Sequence, residues 1–283
     1  MRFGTFMFAG DQTMGIADLA RATEERGFES LWVPEHTHIP TSRRSPYRLG
    51  GELPSEYYHL LDPFVALGMA AAVTSRILLG TAICLVIERD PITLAKEVAS
   101  LDYVSGGRFQ FGIGGGWNRE EMENHGTDPT KRWTVLRERI EAMKQIWTND
   151  AAEYHGQYVN FDPIWQWPKP IQKPHPPIWV GGDGTGTLPR VVRYGDGWFP
   201  NVFGKDPSLL GNRIKELDQL AAEAGRGRIP VTAFGVSPRA GKSVLERYLE
   251  MGVERTIFWL PPADADSTLP LMDDLAKQVE SLT

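Results

Sequence analysis

Short apolar runs alternate with longer amphipathic stretches along most of this chain. Residues 2–8 are rich in aromatics and read as a strand buried on both faces. Residues 13–26 set Ile16, Leu19 and Ala20 against Asp18, Arg21, Glu24 and Glu25, the pattern of a surface helix, and Gly27 stands where a C-terminal cap belongs. Residues 30–33 predict a second strand, closed by Pro34, and residues 63–74 a small-residue helix suited to close packing on a sheet. The continuous apolar run 77–84 predicts a third strand of the parallel-sheet kind. Asp90 and Pro91 form an N-cap and first-turn pair, followed by Leu94, Val98 and Leu101 at helical spacing. A fourth strand, 108–113, precedes a long amphipathic helix, 131–147, with Trp133, Leu136, Ile140, Met143 and Trp147 on one face.

The rhythm breaks at 151–176, a segment rich in proline and aromatics that reads as an excursion. It then resumes with strands at 177–180, 197–201, 229–236 and 255–260. A helix follows each of them, the last packing Met272, Leu275, Val279 and Leu282. Eight strand–helix units over 283 residues predict an α/β fold, a single-domain (β/α)₈ TIM barrel covering 1–283. Its insertions fall after strand two (about 37–62) and before strand five (about 150–176). A doubly wound open sheet is the alternative, but it does not normally need eight units.

Composition changes this picture little. Hydrophobic residues make up 41% and charged residues 23%, as in an ordinary globular protein, and a net charge of -6 gives no reason to expect nucleic acid as a partner. The one cysteine, Cys84, excludes an internal disulfide framework and fits a cytoplasmic location. Asp11 interrupts the N-terminal apolar run too early for a secretory segment, and the runs at 64–73 and 77–87 are too short to span a bilayer.

In a (β/α)₈ barrel, chemistry sits at the C-terminal strand ends. Strand four ends in Gly114-Gly115-Gly116-Trp117-Asn118, and strand five in Gly181-Gly182-Asp183-Gly184. Glycine-rich strand ends that run into helices leave backbone N–H groups open to an anion, most often a phosphate. Strand two ends in Glu35-His36, and a histidine titrating near about 6.5 can deliver a proton at neutral pH. His36-x-His38 is also a metal-binding spacing, but none of His59, His125, His155 and His175 directly follows a predicted strand, so no metal is expected. Trp165 and Trp167 suit either a small satellite core or an apolar wall for a substrate, while Arg43, Arg44 and Arg48 make a basic loop on an acidic chain.

Several of these strand ends carry matching sequence in one order: Leu31-Trp32-Val33-Pro34-Glu35-His36; Leu79-Gly80-Thr81-Ala82 through Pro91; Leu101 through Trp117; Pro176 through Gly182; and Gly195-Asp196-Gly197-Trp198. In this the chain resembles the luciferase-like family of flavin and deazaflavin oxidoreductases, and within it the branch that uses coenzyme F420. The resemblance implies a cofactor across the barrel mouth, a small-molecule substrate, no membrane span and a homodimer. It implies a non-proline cis peptide at Ala82-Ile83, within a bulge (Thr81, Ala82, Ile83, Cys84) behind the ring. It also implies that Glu35 and His36 contact the ring and substrate, with His36 as the proton donor or acceptor and the glycine clusters on the phosphate arm. The basic loop would meet the carboxylates of the F420 tail. The alternatives are an FMN-dependent monooxygenase fed reduced flavin by a partner reductase, and a non-catalytic flavin or F420 carrier.

Overall fold

The computed structural model describes residues 1–47, 50–280 and 282, so Arg48 of the basic loop lies outside the described residues. Eight parallel strands form one sheet: β1 (Arg2–Phe6), β2 (Ser30–Val33), β3 (Leu78–Thr81), β4 (Phe109–Ile113), β7 (Ile178–Gly181), β8 (Gly197–Phe199), β9 (Thr232–Val236) and β10 (Arg255–Trp259). Their order is β8-β7-β4-β3-β2-β1-β10-β9. Bridges from Trp198 to Val231 and from Asn201 to Phe234 join the two ends, so the sheet is a nearly closed barrel. The helices cover its outside: α1 (Ile16–Glu25), α2 (Pro63–Val73), α3 (Pro91–Val104), α4 (Arg119–Asn124), α5 (Arg132–Thr148), α6 (Thr187–Tyr194), α7 (Pro207–Glu223), α8 (Lys242–Glu250) and α9 (Ala265–Glu280).

Cap chemistry fixes several starts as the sequence predicts. Asp62, Asp90 and Asp206 each accept a backbone N–H of the first turn, with proline in the next position. Inside the barrel, large side chains face glycines. A Cβ on Gly80 would lie 2.1 Å from the Trp32 ring, and one on Gly197 would lie 2.2 Å from the Trp179 ring. This pairing of indole with bare backbone fills the interior of the barrel.

The N-terminal end of the barrel is closed by a buried charge. Arg255 is 1% exposed, and its guanidinium reaches Glu29 at 2.5 and 2.7 Å. The same group sits 5.1 Å from the Trp179 ring centroid and 5.8 Å from that of Trp32. Burial works against the Glu29 carboxylate, but its hydrogen bonds and charge pairing with Arg255 hold it below its ordinary range.

Three segments differ from the sequence reading. The third strand stops at Thr81, not at 84: the Ala82–Ile83 peptide is cis, the chain leaves the β2 ladder, and Cys84 bridges Ile113 instead. The excursion holds an antiparallel hairpin, β5 (Ala151–His155) and β6 (Asn160–Trp165), outside the barrel sheet. Trp165 and Trp167 are neither a satellite core nor a cavity wall. They stand 85% and 58% exposed, because the hairpin turns them outward.

Arg255→Met should lower stability by about 3–5 kcal/mol, since it leaves Glu29 with only its longer contact to Arg2. Urea unfolding at neutral pH checks this; a loss under about 1 kcal/mol would show that the pair is dispensable.

Candidate active site

The C-terminal strand ends surround a cavity of about 220 Å³. One side is aromatic. Phe8 stacks on Trp259 at 5.4 Å, Phe199 stacks on Phe234 at 5.0 Å, and Phe6 meets Phe234 edge-on at 4.7 Å. The other side is built from Glu35 and His36 after β2, Ala82, Ile83 and Leu85 after β3, and Gly114 to Trp117 after β4. Gly181, Gly182 and Asp183 after β7 and Trp133 of α5 complete it. The cavity therefore gathers most of the residues expected from sequence. Four it does not: Thr81 is buried and donates to the Gly112 carbonyl at 2.7 Å, Cys84 is fully buried, Asn118 is 3% exposed at the start of α4, and Gly184 lies outside the lining. Burial, then the charge of Glu35, pushes the Cys84 thiol up, so it is no nucleophile.

The glycines serve packing first. A Cβ on Gly114 would lie 1.8 Å from Ile83 Cδ1, and one on Gly181 would lie 3.0 Å from Ile83 Cγ2. Ile83 is thus packed against two strand ends where a side chain would displace it. A Cβ on Gly115 would strike the Trp133 ring at 2.5 Å, and Gly116 takes φ 65°. The Gly114 N–H already donates to the Cys84 carbonyl, and the Gly182 N–H to that of Phe199. These two donors face the protein, not an anion. The positive charge comes instead from side chains. Arg190 lies 3.6 Å and Arg132 5.0 Å from the Trp133 ring centroid. Among the described residues neither has a carboxylate within ion-pair distance, and the buried Arg132 Nε has no partner. Burial, and after it the charge of Arg119, lowers the Arg132 guanidinium; burial also lowers that of Arg190, with Tyr194 opposing and Arg132 adding to it.

Glu35 is committed to its own surroundings. One oxygen accepts from Arg89 Nε at 2.5 Å and the other from the Leu85 N–H at 2.6 Å. Arg89 also bonds Asp62 and Glu97, so the end of β2, the bulge after β3 and the starts of α2 and α3 share one ion cluster. His36 behaves differently. Its Nδ1 lies 2.7 Å from Glu121 Oε2, a residue that the sequence reading missed. Burial pushes His36 down to about 4, against the charge of Glu35. Burial and then Glu35 push Glu121 up to about 8, with the nearby N–H groups of Thr37 and His38 opposing. At neutral pH the acid is therefore protonated, the ring is neutral and the pair has no net charge: the Glu121 O–H donates to Nδ1, which leaves the ring N–H on Nε2. The ordinary value near 6.5 expected of His36 does not hold, because the ring is desolvated. Glu88, also missed, is pushed up to about 9 by burial and then by Glu121. The available signal for Glu121 was its place beside Met122, whose spacing turns that face of α4 towards the barrel.

In the basic loop, Arg44 pairs with Glu123, while Arg43 lies 5.9 Å from the ring centroid of cavity-lining Trp117. His38 bonds Thr37 and Asn124. Among the described residues no helix is long and apolar enough to cross a membrane.

The sequence profile described as luciferase-like monooxygenase matches residues 1–270. An uncharacterized protein of Mycobacterium tuberculosis (strain ATCC 25618 / H37Rv) is 42% identical over 99% of both chains. An FMNH(2)-dependent dimethylsulfone monooxygenase of Pseudomonas putida is 30% identical over 52% of this chain and 41% of its own. Among solved structures, monooxygenase RslO1 of Streptomyces bottropensis superposes with a TM-score of 0.81 at 19% identity, over 100% of this chain and 99% of that one. An F420-dependent secondary alcohol dehydrogenase in complex with an F420-acetone adduct superposes at 0.79 with 18% identity, over 100% and 99%. At these identities the structures attest the fold.

Glu88 binds its proton more tightly folded than unfolded, so its stabilising effect is complete below about 4.5 and is lost as pH rises towards 9. Glu88→Gln should keep about 1–3 kcal/mol that the unsubstituted protein loses between pH 6.5 and 9. Urea unfolding across that range measures it; parallel curves would show that Glu88 is not a buried acid.

Proposed function

Because the chain belongs to the luciferase-like monooxygenase family, we propose that it is an F420-dependent oxidoreductase acting on a small organic substrate. The observation that carries this reading is His36, held by Glu121 at 2.7 Å, on the wall of an aromatic-lined cavity. A bound deazaflavin would supply or take a hydride at its ring carbon five. The residues present suit such a group. The Ala82–Ile83 bulge would support one ring face, and the aromatic side chains would exclude water from the other. Arg132 and Arg190, with no carboxylate of their own, would hold the phosphate, and Arg43 would meet the tail. His36 would give the substrate its Nε2 proton, or take one there, while Nδ1 exchanges with Glu121. Glu35 would act on the ring only indirectly, by fixing the bulge through Leu85.

The second reading is an FMN-dependent monooxygenase, which the likeness to the dimethylsulfone enzyme favours. A deazaflavin has carbon where oxygen chemistry needs nitrogen, so oxygen insertion belongs to that reading alone. A non-catalytic carrier is the third. We further propose self-association through α2, a helix apolar on all sides whose Val65 and Met69 are 69% and 54% exposed.

Side-by-side titration with F420 and FMN should show F420 retained and reduced, and then reoxidised by electron-poor acceptors. His36→Ala should cut turnover by about 10²-fold or more while leaving F420 affinity nearly intact, and Arg190→Met should weaken binding by about tenfold. Selective retention of FMN would support the second reading, and tight binding without turnover the carrier. Val65→Lys with Met69→Lys should convert the homodimer to monomer in sedimentation; a monomeric unsubstituted protein would end that proposal.

A further inference from the structure

Behind His36, away from the cavity, two buried acids lie in a row. Glu121 uses Oε2 for His36, while its Oε1 has no partner. Glu88, at the end of the short turn Val86–Glu88, is 8% exposed, and neither of its oxygens is hydrogen-bonded. Its next neighbour is His125, whose Nε2 stands 3.8 Å from Glu88 Oε2 and 2.8 Å from the Thr37 hydroxyl. The His125 side chain is 27% exposed at the end of α4. Glu121 lies near enough for its charge to act on Glu88, so His36, Glu121, Glu88 and His125 are successive titratable neighbours between the cavity and solvent.

A purely structural role fits these acids poorly. Every other buried carboxylate among the described residues is bonded: Glu35 by Arg89 and Leu85, Asp102 by Gln172, Glu120 by Ser45, Glu138 by Tyr158 and Val159. Glu88 and Glu121 alone combine burial with unbonded oxygens, and no Lys or Arg pairs with either. The charged groups facing them are Glu35, Arg89 and Arg139 around Glu88, Glu35 around Glu121, and His38 beside His125.

We propose that Glu121, Glu88 and His125 form a proton relay that connects His36 to solvent while the cavity is closed by substrate. The proposal rests on the oxidoreductase reading. Hydride addition to an electron-poor carbon leaves its partner atom needing one proton, which His36 Nε2 gives. Nδ1 takes the Glu121 proton, Glu121 takes that of Glu88, and Glu88 takes one from solvent through His125. No charge stays on a buried acid. When product leaves, Nε2 takes a proton from water and the line runs back, so each turnover delivers one solvent proton to product. The two electrons come from the reduced cofactor.

The test needs neither cofactor nor substrate, so its failure is separate from failure of the oxidoreductase reading. Deuterium uptake at the Glu121 carboxyl is followed by infrared spectroscopy of the full chain, with the band assigned by its loss in Glu121→Gln. His36→Phe is used as background, to close the route through the cavity. Glu88→Gln or His125→Phe in that background should slow uptake by about tenfold or more. Uptake within about twofold of the background in both would overturn the relay, as would absence of a protonated Glu121 band. Should Glu88→Gln fail to fold, His125→Phe at the surface decides.

Discussion

One buried carboxylate holds the top of this barrel together. Glu35 accepts from the Leu85 backbone and from Arg89, and Arg89 carries the connection to Asp62 and Glu97. The end of β2, the bulge after β3 and two helix starts are thereby fixed relative to one another. The position of His36, one residue along, follows from it. So does the placement of Ile83 between Gly114 and Gly181, which fits only because neither strand end carries a Cβ. Taking either partner from a buried pair of this kind typically costs about 3–5 kcal/mol, because the other charge stays desolvated.

Charge is treated in opposite ways a few residues apart. Glu35 and Glu29 are matched by Arg89 and Arg255. Among the described residues no Lys or Arg ion-pairs with Glu121 or Glu88, and burial favours their neutral forms even though Arg89 and Arg139 oppose it at Glu88. The same desolvation suppresses the imidazolium of His36. The pair that His36 forms at the cavity is left neutral, while Arg132 and Arg190 flank the lining residue Trp133.

The barrel was legible because each of its strands is a continuous apolar run set off by turn chemistry. Gly27 and Gly252 at helix ends and Asp90-Pro91 at a helix start mark the units before any tertiary contact is considered. The hairpin Ala151–Trp165 was not legible, since both strands are mostly exposed and the second breaks its alternation and contains Pro163. The early end of β3 was hidden for another reason: Ala82 to Cys84 remain as apolar as a strand, and only their packing on β4 and β7 takes them out of line.

By itself, the chain determined the eight-unit repeat, the strand ends that meet at one mouth, and His36 as the residue of interest, because these depend on local periodicity and on turn residues at fixed positions. Tertiary structure decided what those residues do. It braced Glu35 against Arg89 and Leu85 and packed the glycines against Ile83 and Trp133. It also brought Glu121 to His36 across 85 positions and Arg190 to Trp133 across two helices. Such pairings depend on burial and on neighbours distant in sequence, and no local pattern of residues encodes them.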